Sequence, residues 1–225
     1  MSEEGILYYH EVFTSIQGES TDMGKICTFV RLYGCNVKCS YCDQPQSRSD
    51  RHKISISNMV SKVLSLHVKN VCITGGEPLL QWNSVYQLAL ELVYYGCNVS
   101  IETNGCVKIP NLYYPRGLKF VMDVKCPSSG VSHKNIYENL MSLRLNDEVK
   151  FVISNREDYD FMKRVLKDYP TPATKLVSPV MSRSPQYDLN RAYCLIGKEL
   201  VDWLIEDKLF NVRVQIQMHK CLGVL

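Results

Sequence analysis

Nothing in this sequence approaches the ~20 consecutive apolar residues that a membrane-spanning helix needs. No apolar run follows the opening Met-Ser-Glu-Glu-Gly, so no secretory leader is expected. Lysine and arginine total 26 against 23 acidic residues and are scattered. A net charge of +3 with no basic run gives no reason to expect nucleic acid or a membrane surface as a direct partner. Linkers, low-complexity stretches and clean internal repeats are lacking too. The 225 residues therefore read as one α/β domain, 1–225.

Cysteine, by contrast, is plentiful, at ten residues. Without a leader, this count points to a reducing cytoplasm rather than a secreted disulfide framework. Cys27, Cys72 and Cys97 lie in or beside apolar runs and read as small buried hydrophobes. Cys106, Cys126, Cys194 and Cys221 have no partners at ligand spacing. Cys35, Cys39 and Cys42 differ, standing in a C-x3-C-x2-C loop with Tyr41 immediately before the third thiol. This loop lacks a fourth ligand. A closed structural zinc site takes four, and no further Cys or His follows at the short spacing zinc modules use. A cubane iron–sulfur cluster needs one outer ligand per iron, so three cysteines leave one iron open. An amino acid chelating through its amino and carboxylate groups would complete it. The loop alone leaves two readings standing, a zinc-stabilised interaction module and an open cluster. Colour after anaerobic purification separates them, because zinc proteins are colourless.

The rest of the chain alternates. Residues 7–16 are aromatic and β-branched and predict an extended segment, broken by Gln17-Gly18-Glu19. Residues 26–33 form a strand that delivers the chain into the cysteine loop. A helix follows with Ser57 as its N-cap. Strands at 70–74, 98–102, 118–124, 148–153, 175–180 and 212–217 alternate with helical patterns at 83–95, 133–144, 157–168 and 194–208. Such alternation predicts βαβ units and a mostly parallel sheet. With about six such strands, fewer than the eight of a complete barrel of typically ~250 residues, the expectation is an open doubly wound sheet or a partial, TIM-like barrel preceded by an extended segment. In either, ligands gather at the carboxyl ends of the strands. Gly75-Gly76-Glu77-Pro78, Thr103-Asn104-Gly105 and Lys125-Cys126-Pro127-Ser128-Ser129-Gly130 all follow strands, so they share one rim. Paired glycines let backbone approach a ligand closely.

A C-x3-C-x2-C loop with an aromatic before its last cysteine, followed by a Gly-Gly-Glu-Pro strand end, resembles the radical S-adenosylmethionine enzymes. Further runs narrow the likeness. Ser15-Ile16-Gln17-Gly18-Glu19-Ser20, Thr28-Phe29-Val30-Arg31-Leu32-Tyr33-Gly34-Cys35, Glu102-Thr103-Asn104-Gly105, Asp123 to Gly130 and Gln217-Met218-His219-Lys220 are similar, in order, to motifs of the 7-carboxy-7-deazaguanine synthases. The partial barrel is the form of the expected fold that accords with this resemblance. The resemblance implies a 4Fe–4S cluster on Cys35, Cys39 and Cys42, with S-adenosylmethionine on the fourth iron. It implies radical ring contraction of 6-carboxy-5,6,7,8-tetrahydropterin with loss of ammonia, S-adenosylmethionine being regenerated. It places Tyr41, Cys42, Asp43, Gly76, Glu77, Asn104, Lys125, Ser128 and Ser129 around the cofactor. It places Ile16, Gln17, Gly18, Arg31, Thr74 and Leu225 around the substrate, with Arg31 suited to a carboxylate. Magnesium, a flavodoxin- or ferredoxin-type reductant and a homodimer are implied likewise.

Two positions depart from the family pattern. The family pattern usually has Thr or Ser after the Cys-Asp pair, a hydroxyl that helps hold magnesium, whereas this chain has Gln44. Cys126 stands where the family often carries another residue before Pro127. A different radical enzyme, one that activates a protein partner, would share the cysteine loop but would not need Gln17, Arg31 or the Lys-Cys-Pro-Ser-Ser-Gly run.

Overall fold

The computed structural model describes residues 5–42, 44, 50–181 and 189–224, the side chains of 189–196 excepted. The aromatic and β-branched opening run stays extended as β1 (Ile6–Ile16). It pairs antiparallel with β2 (Ile26–Leu32) on one edge and β3 (His52–Ser55) on the other. From β2 onward the pairing is parallel, through β4 (Asn70–Gly75), β5 (Asn98–Thr103), β6 (Leu118–Val124), β7 (Glu148–Ile153), β8 (Thr174–Pro179) and β9 (Val212–Val214). The order is β3-β1-β2-β4-β5-β6-β7-β8-β9, an open sheet and hence a partial barrel.

The sheet has nine strands: the extended opening segment, the strand that feeds the cysteine loop, the six expected after it, and β3, which the sequence did not predict. The charged four-residue β3 carries no strand pattern of its own and exists through its partner: Ile6 to Tyr9 face Ser55 to His52 in register. Its presence also moves the first helix, α1 (Ile56–Leu64), which Ser55 rather than Ser57 caps by accepting the Asn58 N–H at 3.3 Å. The remaining helices are α2 (Trp82–Tyr94), α3 (Glu138–Ser142), α4 (Arg156–Asp168), α5 (Leu189–Glu206) and α6 (Met218–Leu222). The helix expected near 133–144 shrinks to α3 and a preceding 3-10 turn. The short α6 lacks a periodic signal and is absent from the sequence expectation. No described helix is long and apolar enough to cross a membrane.

Side chains alternate across a strand, and here the two faces differ in kind. Val30, Leu32, Val71, Ile73, Val99, Ile101, Phe120, Met122, Val149 and Phe151 pack against the helices in the main core. Burying a side chain of this size is worth about 1.5–3 kcal/mol, so this face holds the barrel together. The alternating positions carry Arg31, Thr74, Glu102, Asp123 and Lys150, and these line a cavity. Cys27 and Cys72 lie on this inward face with Phe29 as a small second core, and Cys97 belongs to the main one, so all three are the buried hydrophobes expected. Asp158 at the start of α4 is buried and accepts the Ser128 and Ser154 N–H groups at 3.0 and 2.8 Å. It thereby ties the turn after β6 to the β7–α4 junction.

Candidate functional site

Each parallel strand ends at the same rim, and each contributes there. The rim surrounds a cavity of about 200 Å³. After β2 the chain enters the cysteine loop through Gly34 at φ +91°, a conformation favouring glycine. Cys35, Cys39 and Cys42 are free thiols lining this cavity, with Tyr41 and Gln44. They are not gathered at metal-ligand spacing: among the described residues no three His, Cys, Asp or Glu side chains are. Burial raises the Cys39 thiol, the Lys125 ammonium works against that rise, and Asp123, Cys42 and Cys35 add to it.

The glycine pair after β4 explains itself sterically. A Cβ on Gly76 would lie 1.7 Å from the Gly34 carbonyl oxygen, so the cysteine loop rests directly on this backbone. The Gly76 and Glu77 N–H groups donate to Leu32 and Gly34 carbonyls at 3.0 and 2.8 Å, locking the two strand ends together.

The Glu77 side chain, expected at the cofactor, does not line the cavity. Its carboxylate is fully buried and accepts from Leu79 N, Thr103 Oγ1 and Asn104 N at 2.9, 2.8 and 2.7 Å. Burial raises its pKa despite these three donors. It is therefore a brace between the β4 and β5 turns. The Ser129 hydroxyl is also buried, donating to the Cys126 carbonyl at 2.6 Å. Ser128 likewise stays outside the cavity lining, its hydroxyl accepting from Asn155 Nδ2 at 3.1 Å. These serines grip the cysteine loop from behind: Ser40 donates its backbone N–H to Ser129 O at 3.0 Å and its hydroxyl to Ser128 O at 2.6 Å. Cys126, buried with its thiol raised by burial, belongs to the core under this turn.

The opposite wall comes from β1, β2 and the loop between them. Arg31 pairs with Glu11 at 2.6 Å and lies 4.6 Å over the Phe13 ring, which leaves the guanidinium oriented beside the cavity. Gln17 Nε2 and Thr74 Oγ1 both donate to Glu102, at 3.2 and 2.8 Å. Burial raises the Glu102 carboxyl, and the Lys150 ammonium does not reverse it. Ile16, Gln17, Gly18, Arg31, Thr74, Gly76, Asn104 and Lys125 all line this one cavity. Asp43 and Leu225 lie outside the described residues.

A buried charge network was not anticipated. Asp123 pairs with Lys125 at 2.9 Å and Lys150 at 3.4 Å, and Lys150 continues to Glu19. Burial opposes ionisation of both carboxylates, but the two lysines hold them below their ordinary values. Gln217 Nε2 donates to Glu19 at 2.5 Å, and Gly18 O accepts the Met218 N–H at 2.9 Å, so α6 is fastened over the cavity mouth. His219 lines the cavity beside Gly18. The signal available for Glu19 and Lys150 was only their inward phase on strand or loop.

The donor set suits the cofactors the sequence implies. Three soft thiols face one cavity with a glycine-paved floor, and the Tyr41 hydroxyl is buried beside them without a partner among the described residues.

Comparison with known proteins agrees. The Radical SAM superfamily matches residues 29–168. A 7-carboxy-7-deazaguanine synthase of Methanospirillum hungatei is 40% identical over 95% of this chain and 84% of its own length. Those of Koribacter versatilis and Clostridium acetobutylicum are 35% and 33% identical, covering 93% and 94% of this chain and 94% of each relative. The crystal structure of QueE from Escherichia coli superposes with a TM-score of 0.71 at 18% identity, covering 95% of both chains, which shows the shared fold. The chain belongs to the radical SAM superfamily and, within it, to the 7-carboxy-7-deazaguanine synthase family.

Proposed function

We propose that this chain converts 6-carboxy-5,6,7,8-tetrahydropterin to 7-carboxy-7-deazaguanine with loss of ammonia. The observation carrying this reading is that the three-thiol loop and Arg31 face one cavity in a chain 40% identical to a 7-carboxy-7-deazaguanine synthase. When bound, the 4Fe–4S cluster and S-adenosylmethionine supply the radical that removes a hydrogen atom from the substrate. Cys35, Cys39 and Cys42 hold the cluster. Tyr41, Asp43, Gly76, Asn104 and Lys125 surround the cofactor, Lys125 suiting its carboxylate by charge.

Arg31 receives the substrate carboxylate, its guanidinium already set by Glu11 and Phe13. A planar bidentate donor fits that anion. Ile16, Gln17, Gly18 and Thr74 meet the aminopyrimidinone edge. Glu102, which accepts from both Gln17 and Thr74, stands behind that edge and fixes the orientation of their side chains. His219 and α6 limit water at the mouth.

Gln44 lines the same cavity and offers magnesium only an amide oxygen in place of a hydroxyl, so the enzyme depends on the metal less than relatives with Thr or Ser there. Strong stimulation of chelator-treated enzyme by added magnesium would count against that. A flavodoxin- or ferredoxin-type protein delivers the electron, and the working unit is a homodimer. The reaction is tested by quantifying products from reduced, reconstituted protein. One ammonia per deazaguanine with S-adenosylmethionine recovered is expected, and net consumption of S-adenosylmethionine without deazaguanine sinks the reading.

A further inference from the structure

The geometry points to Asn104 as a positioning residue that donates an N–H hydrogen bond to the Cys35 sulfur and so sets the reduction potential of the cluster. The inference rests on the reading of Cys35 as a cluster ligand. Asn104 stands in the turn after β5, with Nδ2 at 3.7 Å from Cys35 Sγ and 2.8 Å from Asn36 Oδ1. The two ends of its carboxamide are told apart by their partners. Oδ1 accepts the Cys106 backbone N–H at 2.9 Å, so the nitrogen is the end presented to the cysteine loop.

The donor is held from every side. The Asn104 backbone N–H is anchored on the buried Glu77 carboxylate at 2.7 Å. Asn36, the residue after Cys35, returns a bond from its own Nδ2 to the Cys106 carbonyl at 3.2 Å. Gly105 completes the turn at φ +72°, where a Cβ would lie 2.5 Å from the Asp123 carbonyl oxygen. Two asparagines therefore tie the cysteine loop to the β5 turn by bonds running both ways. Sulfur-directed N–H groups are among the factors that set iron–sulfur potentials, and outer-shell partners orient the ligands themselves. A reduced cluster puts more negative charge on its thiolates, so the donor favours the reduced state and raises the potential.

The test uses anaerobically reconstituted wild type, Asn104→Asp, Asn104→Ala, Asn36→Ala and Cys35→Ala. Iron per chain is measured first, and the midpoint potential then comes from a redox titration followed by electron paramagnetic resonance. Asn104→Asp keeps the oxygen for Cys106 N–H but replaces the donor by an anionic oxygen. It is expected to load full iron and titrate at a more negative potential than wild type. Asn104→Ala is expected to shift the same way by less, and Asn36→Ala, which removes the acceptor fixing Nδ2, by less again. Wild-type potentials in Asn104→Asp and Asn36→Ala at full iron content overturn the inference while leaving the cluster assignment intact. Full iron in Cys35→Ala overturns the assignment instead.

Discussion

The His219 imidazole packs so tightly on Gly18 that a Cβ at position 18 would lie 1.9 Å from Nδ1 and 2.6 Å from Cγ. The glycine therefore exists for the histidine, and it joins the first loop of the chain to its last helix. Gly18→Ala is expected to dislodge α6, costing about 1–3 kcal/mol of stability as an overpacked contact. Misplacing the cavity wall by about 1 Å is expected to lower kcat/KM about 10²-fold. Denaturant titration and steady-state kinetics check both. Gly18→Ala/His219→Ala is expected to recover the stability, because the steric conflict is gone.

Gly76 meets backbone rather than side chain, its would-be Cβ lying 1.7 Å from Gly34 O. A backbone oxygen locked between two strand ends has no rotamer to escape into. Gly76→Ala is expected to cost about 3 kcal/mol or more and to abolish S-adenosylmethionine binding. Thermal melting and equilibrium dialysis read the two effects, and near-normal dialysis would show that the loop can yield.

The Glu19–Lys150–Asp123 network makes stability depend on acid. Both carboxylates are held below their ordinary values of 4.5 and 3.8. A depressed carboxylate contributes stability that is fully present above its unfolded pKa and is lost as pH falls through the folded one. Stability is thus expected to be flat above pH 4.5 in this respect and to fall below it. Lys150→Met removes the cation shared by both anions, with an expected loss at pH 7 of about 3–5 kcal/mol, as for breaking a buried pair. It is also expected to shallow the acid limb, since Glu19 loses the cation that depresses it while Asp123 keeps only Lys125. Unfolding free energies of wild type and variant between pH 3 and 8 decide it.

Arg31→Lys keeps the charge but loses the fork that fits a carboxylate. A charge-assisted hydrogen bond is worth about 1.5–3 kcal/mol, so kcat/KM is expected to fall about 10- to 100-fold. The change is expected mainly in KM, because Arg31 binds a part of the substrate that does not react. A substrate analogue lacking the carboxylate is expected to discriminate little between the two proteins.

Much of this was legible locally. The strand at 118–124 appears with those bounds, and so does that at 148–153, because apolar residues at every second position mark them: Leu118, Phe120, Met122 and Val124 in one, Val149, Phe151 and Ile153 in the other. The cysteine loop was legible from spacing alone, since its three thiols fall within eight residues. Relationships between distant residues were not. Lys150 reaches Glu19 across 131 positions, and nothing in either neighbourhood announces the partner. Glu77 and Ser129 sit in the right motifs, yet burial turns both side chains inward to brace turns. The β3 strand is visible only once β1 is there to pair with it.

The proposed reaction requires the cysteine loop to act with the cavity beside it. The direct measurement compares wild type with Cys35→Ala, Cys39→Ala and Cys42→Ala after anaerobic reconstitution, recording iron content and 7-carboxy-7-deazaguanine formed from the carboxytetrahydropterin. Wild type is expected to carry one 4Fe–4S cluster per chain and to form the product, and each variant to lose both. A wild-type protein with a full cluster and S-adenosylmethionine present that forms no deazaguanine would contradict the account.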